Sequence, residues 1–318
     1  MATIKRITLS LREQDVGGEV KAIPSVSDET TLASAQHLVL LIHGYNNDRK
    51  AAAEAYDGFH ARQQELDPDG RYGIGRIFVE VYWPGDADWG AASFLFYMGS
   101  VDHATQSAER LSHYLAGRFG TNGVRIDIVA HSMGCRLGME LLRALDGTNA
   151  ALHIARIVFM AGAVPTFMLE QQDPPRRLRP SYDQVLREGA RSLYSGADGV
   201  LAFAFPAGQS LAPGEEGLLP SALGHALWAD TSVPFNLGQA ENPQAGHSDY
   251  WGWNTQPKPL QCARKAAQEA REFLQFPSAG SRSISARPLV ESSAIAAREI
   301  AIKREIVARE RASYWPGC

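Results

Sequence analysis

The chain has 318 residues, 45% hydrophobic and 21% charged, which fits one large α/β domain or two small ones and allows a sizeable buried core. Global disorder, a repeat array and a mini-protein are excluded. With 31 Lys plus Arg against 35 Asp plus Glu, the net charge of −4 supplies no general attraction for nucleic-acid phosphates or anionic lipid.

The cysteines Cys135, Cys262 and Cys318 are odd in number and lack metal-ligand spacing, so neither a disulfide framework nor a zinc cluster is expected. Met1 to Gln14 lacks the uninterrupted apolar stretch of a secretory signal, and no segment reaches the roughly 18 consecutive apolar residues of an integral membrane span. A cytoplasmic location is expected, and the same sequence is compatible with export by a dedicated machine.

In chain order, Ile4 to Leu11 alternates apolar and polar residues and predicts an edge strand. Leu38 to Ile42 is a continuous apolar run ending in His43-Gly44-Tyr45-Asn46-Asn47, the pattern of a buried parallel strand stopping at a polar loop. Asp48 is placed to cap an Ala-rich helix reaching about Leu66. Strands are predicted at Arg76 to Trp83, Val124 to Ala130, Ile154 to Ala161 and Arg191 to Ser195. Helices are predicted at Val101 to Phe119, Ser132 to Leu145 and Tyr182 to Ala190. This alternation specifies right-handed parallel crossovers, hence an α/β fold with a mostly parallel sheet covered on both faces.

Leu201 to Trp253 is rich in Gly, Pro and Ser, with only Ala226 to Ser232 strand-like, and reads as binding loops. Lys258 to Phe276 predicts a closing helix, so the core unit is expected to span 1–277. Residues 278–318 form a linker followed by a helix from about Leu289 to Ala312, whose split apolar faces suit docking on a second subunit or on its own domain.

The most informative stretch is Ala130-His131-Ser132-Met133-Gly134, set between a predicted strand and a predicted helix. It resembles the nucleophile elbow of α/β-hydrolases, small-x-Ser-x-Gly, in which a tight turn presents the serine hydroxyl. Ala130 stands where the first glycine is usual and adds one methyl group. A serine hydroxyl is a weak nucleophile that needs a base within hydrogen-bond reach and a carboxylate to orient that base. After Ser132 the candidate bases are His153, His225 and His247. His153 falls at the N-terminal end of its strand, and His247, in Gly246-His247-Ser248-Asp249-Tyr250 before the last helix, is favoured over His225. Asp198 follows the second strand after the nucleophile and is favoured as the acid, with Asp230 as rival; Asp249 is too near the base in sequence.

Acyl transfer also needs donors for the developing oxyanion. The expected ones are the backbone amides of Met133 and Tyr45, which makes His43 a loop organiser and not the base. Tyr82, Trp83, Trp89, Phe94, Phe96 and Tyr97 follow a strand that should end near the active face and are candidates for an apolar acyl or aryl pocket, with core packing as the alternative; Trp83 and His131 are the residues assigned to that pocket, while Cys135 reads as an inert thiol. No glycine-rich phosphate loop, His-Glu-x-x-His helix or Cys-x-x-Cys pair occurs, so nucleotide and zinc chemistry lack a basis.

Together with Tyr82-Trp83-Pro84, Leu193-Tyr194-Ser195-Gly196-Ala197-Asp198 and Gly246-His247-Ser248, these segments resemble a bacterial, esterase- or lipase-like branch of the α/β-hydrolase superfamily over about residues 35 to 275. The resemblance implies the α/β-hydrolase fold, a Ser132–His247–Asp198 triad, no metal or organic cofactor, and a small ester or lipid-like substrate. Lipase, phospholipase, thioesterase or acyltransferase chemistry on the same triad, and a non-catalytic binding role for the fold, are the alternatives.

Overall fold

The computed structural model describes residues 4–86, 97–120, 123–148, 152–170, 178–206 and 220–277. The expected C-terminal helix, Trp89, Phe94 and Phe96 lie outside the described residues.

Eight strands form one sheet: β1 (Lys5–Arg12), β2 (Val20–Val26), β3 (His37–Ile42), β4 (Ile77–Tyr82), β5 (Arg125–His131), β6 (Ile154–Met160), β7 (Leu186–Tyr194) and β8 (Leu237–Glu241), in the order β2-β1-β4-β3-β5-β6-β7-β8. Among the described strands only β2 runs antiparallel to its neighbour. The helices are α1 (Glu29–Ala33), α2 (Arg49–Glu65), α3 (Tyr97–Phe119), α4 (Met133–Asp146), α5 (Arg179–Val185) and α6 (Pro257–Leu274).

The central strands carry apolar side chains toward both faces, as strands covered on two sides must. Leu38 to Ile42 are fully buried, as are Ile126, Ile128, Val129, Ile157, Val158 and Phe159. Right-handed crossovers stepping in opposite directions put their helices on opposite faces. The step from β3 to β4 runs one way and places α2 on one face, where it packs with α6. The steps from β4 to β5, β5 to β6 and β6 to β7 run the other way and place α3, α4 and α5 together on the second face.

Register fixes where the loops emerge. Ile42 pairs with both Val81 and Ala130, His131 pairs with Met160, Met160 with Leu193, and Tyr194 with Glu241. The C-terminal ends of β3, β4, β5, β6, β7 and β8 therefore line one edge of the sheet, and the loops after them share it.

Several expectations are corrected. The first strand is not at the edge: β1 lies between β4 and β2, and Leu9 and Leu11 are fully buried because β2 covers the flank. The helix expected at Tyr182 to Ala190 ends at Val185, and Leu186 already belongs to β7, whose Gly189 approaches Asn236 too closely for any Cβ. Ala226 to Ser232 is turn and loop, and the last strand is β8.

Candidate active site

The turn from β5 into α4 consists of Ser132 alone. Its backbone has φ 53° and ψ −123°, a region costing a non-glycine residue of order 1–3 kcal/mol. The strain is held in place by its N–H donating to the Met160 carbonyl (3.0 Å) and its own carbonyl accepting from Ala163 (3.1 Å). A Cβ on Gly134 would collide with the backbone carbonyls of His43 and Ile42, so the second small residue of the motif is a packing requirement. Cys135 donates its thiol to the Ala130 carbonyl at 3.2 Å, and burial pushes its pKa far up, which leaves it an inert group.

Three residues distant in sequence meet at this turn. His247 Nε2 is 2.7 Å from Ser132 Oγ, and His247 Nδ1 is 2.8 Å from Asp198 Oδ2. A carboxylate only accepts, so Nδ1 carries the proton and Nε2 is free to accept from the seryl hydroxyl. The other Asp198 oxygen accepts from the amides of Val200 (3.1 Å) and Leu201 (3.0 Å), which fix a carboxylate with no solvent exposure. Ser132 is 5% exposed and the His247 side chain 19%, so the pair lies at the surface end of the array. Asp249 shapes the base loop by accepting from the Gly246 amide at 2.8 Å.

The rivals are elsewhere. Asp230 is exposed and folded onto its own turn, accepting from Ser232 N and Thr231 Oγ1, and these bonds, the Ser232 amide first, hold its carboxyl below the usual range. His153 sits at the N-terminal end of β6 and accepts from Arg187, at the opposite edge of the sheet. His225 lies in the loop after Ala222, where its N–H donates to the Ala222 carbonyl.

The loop after β3 is pinned from behind. His43 Nδ1 donates to the Gly44 carbonyl (2.9 Å), Nε2 accepts from the Trp83 amide (3.3 Å), and its own amide donates to Tyr56 Oη (3.0 Å). Burial pushes its pKa down to about 3, so it is a neutral strut, in keeping with its expected organising role. Gly44 lies against the nucleophile turn: an added Cβ would fall 2.8 Å from both His131 Nδ1 and Ser132 Cβ. Tyr45 follows, partly buried against the core, and Met133 stands at the first position of α4, where helix geometry gives an amide no intrahelical acceptor.

Trp83 and His131, expected as pocket walls, serve the scaffold. Trp83 has no solvent exposure, stacks on His43 at 5.6 Å and donates its indole N–H to the His43 carbonyl at 2.9 Å. His131 is buried behind His247, with ring centroids 5.1 Å apart.

Arg12, which the sequence reading passed over, is a buried hub. Its guanidinium pairs with Asp86 at 2.5 Å and donates to the carbonyls of Trp83, Asn47, Asp15 and Gln14, tying the end of β1 to the loops after β3 and β4. An arginine ending an alternating strand has the sequence signature of a solvated residue. Among the described residues no group of three His, Cys, Asp or Glu could hold a metal ion, and no helix is long and apolar enough to cross a membrane.

Residues 23–170 match the model of a family described as alpha/beta hydrolase of unknown function (DUF900). No curated protein matches the chain in sequence. Among solved structures the chain is similar to TT1662 from Thermus thermophilus, at 13% identity over 82% of this chain and 94% of that one, with a TM-score of 0.42. It is also similar to a putative cell surface hydrolase from Lactobacillus plantarum, at 11% identity over 82% and 98% of the two chains and a TM-score of 0.43. A third likeness, to an esterase from Pyrococcus furiosus, has 12% identity, covers 76% of this chain and 82% of that one, and has a TM-score of 0.38.

Proposed function

The chain is a member of the α/β-hydrolase superfamily, and from that premise we propose that it is a serine hydrolase of carboxylic esters working through an acyl-enzyme. The observation that carries the reading is the continuous hydrogen-bonded line from Ser132 Oγ through His247 to Asp198, 2.7 and 2.8 Å long.

Ser132 Oγ bonds to the acyl carbon while its proton passes to His247 Nε2, and Asp198 stabilises the imidazolium that forms. The negative charge developing on the carbonyl oxygen is received by the amides of Met133 and Tyr45, each such donor contributing about 3–4 kcal/mol to the transition state. Collapse of the tetrahedral intermediate breaks the ester C–O bond, and His247 returns the proton to the leaving alkoxide. A water then gives its proton to His247 as its oxygen attacks the acyl carbon, and Ser132 leaves with that proton. The strained turn and the neutral strut His43 prepare this geometry before any substrate arrives, so little reorganisation is required during the reaction. The acyl partner is a small ester or lipid-like molecule.

A fluorophosphonate probe tests the reading: the folded protein becomes covalently labelled, and Ser132→Ala abolishes labelling together with ester hydrolysis. An unlabelled wild type, or labelling that survives Ser132→Ala, sinks it.

A further inference from the structure

His131 occupies the last position of β5, one residue before Ser132, and its side chain is buried. Its Nε2 lies 2.6 Å from the backbone carbonyl of His247. A carbonyl only accepts, so the ring carries its proton on Nε2, and the unprotonated Nδ1 faces the backbone of Gly44. The same ring packs against Tyr250 and Trp251, each at 6.0 Å between centroids, on the segment that continues the His247 loop. One buried imidazole thus touches the loop after β3, the nucleophile turn and the loop bearing the base.

We propose that His131 is a positioning residue, whose Nε2–H holds the His247 backbone so that the His247 ring stays within reach of Ser132 while Gly44 is kept against the nucleophile turn. The inference rests on the serine-hydrolase reading and deepens it. The physical need is plain: the base is delivered by a loop after the edge strand β8, and its ring is 19% exposed. A loop fixed only through side chains would let the Nε2–Oγ distance wander, and a displacement of about 1 Å at a reacting pair costs on the order of a hundredfold in rate. Asp198 fixes the ring from one side, and the bond from His131 fixes the main chain that carries the ring.

Two variants separate positioning from packing. His131→Leu fills space without a donor, and His131→Gln returns an N–H near the Nε2 position. With a short-chain acyl ester, His131→Leu is expected to lower kcat about tenfold to a hundredfold with KM within about twofold, and to slow fluorophosphonate capture of Ser132 by a similar factor. His131→Gln is expected to restore most of both rates. A His131→Leu enzyme as fast as wild type, or equal loss in both variants, overturns the inference while leaving Ser132 as nucleophile. An unlabelled wild type overturns the hydrolase reading and the positioning role with it. Long-range 1H–15N spectra of histidine-labelled wild type need no variant to fold: the Nε2–H tautomer at residue 131 is expected, and the Nδ1–H tautomer overturns the inference, since the bond to His247 would not exist.

Discussion

Asp198 Oδ2 lies 2.8 Å from His247 Nδ1 while Asp198 Oδ1 accepts from the Val200 and Leu201 amides, so one carboxylate is shared between the base and the chain turn that carries it. Replacing it with Asn keeps the shape but offers an amide that either donates to Nδ1, forcing the wrong histidine tautomer, or loses the backbone bonds. Asp198→Asn is therefore expected to lower kcat on the order of 10⁴-fold with KM little changed. Asp230→Asn is expected to leave kcat within about twofold, since Asp230 bonds only to its own turn. Steady-state hydrolysis of one chromogenic ester by both variants checks the assignment, and equal losses would contradict it.

What could be read from the residues divides along physical lines. Leu38 to Ile42 of β3 is a continuous apolar run, and β5 and β6 are mostly apolar around Asp127 and Arg156, because helices cover both faces, and the turn at Ser132 is local, so its strand, small residues and helix are all adjacent in the chain. β2 and β8 were not legible: β2 contains Pro24 and an exposed face, and β8 reads LGQAE, since edge strands need less apolar surface. Asp198 and His247 could be placed because each follows a strand or precedes a helix at one end of the sheet. The roles of Arg12 and His131 could not, because Asp86 lies 74 positions from Arg12 and His247 lies 116 from His131, and only the folded register brings them together. Trp83 misled for the opposite reason, as an aromatic residue at a strand end looks the same whether it walls a pocket or braces a loop.

Gly44 admits no side chain, because a Cβ would stand 2.8 Å from His131 Nδ1 and Ser132 Cβ. Gly44→Ala must push the loop carrying Tyr45 away from the nucleophile. Losing one oxyanion donor in this way is expected to lower kcat about 10²- to 10³-fold. Overpacking of this kind is expected to cost about 1–3 kcal/mol of stability. Thermal unfolding alongside ester kinetics separates the two effects: a folded Gly44→Ala protein with wild-type kcat would remove Tyr45 from the proposed oxyanion site.

Acid sensitivity follows from the buried neutral histidines. Burial holds both His43 and His131 at about 3, whereas an unfolded histidine titrates near 6.5. Between these values the unfolded chain binds protons that the folded chain refuses. Stability is thus fully present above about pH 6.5 and falls as pH drops toward 3, by about 1.4 kcal/mol per pH unit for each histidine. His60, also lowered by burial, adds in the same direction. Urea unfolding of wild type and His131→Leu between pH 6 and 4.5 checks the sign and size: the variant is expected to lose about 1.4 kcal/mol per pH unit less steeply.

The Arg12–Asp86 pair makes a separate claim about the scaffold. Both side chains are nearly devoid of solvent exposure, at 1% and 6%, and Asp86 also accepts from the Gly17 amide at 3.0 Å. Arg12→Met leaves a carboxylate buried without its cation and four loop carbonyls without a donor. A loss of about 3–5 kcal/mol is expected. Arg12→Lys retains the charge but cannot reach all five acceptors from one ammonium, so an intermediate loss is expected. Combining Arg12→Met with Asp86→Leu removes the stranded charge and should recover part of the stability but not of kcat, since the loops after β3 and β4 are still untied. Denaturant unfolding and ester turnover measured on the single and double variants distinguish these terms. Full recovery of both in the double variant would mean that the pair serves only its own neutralisation and does not hold the loop of Tyr45.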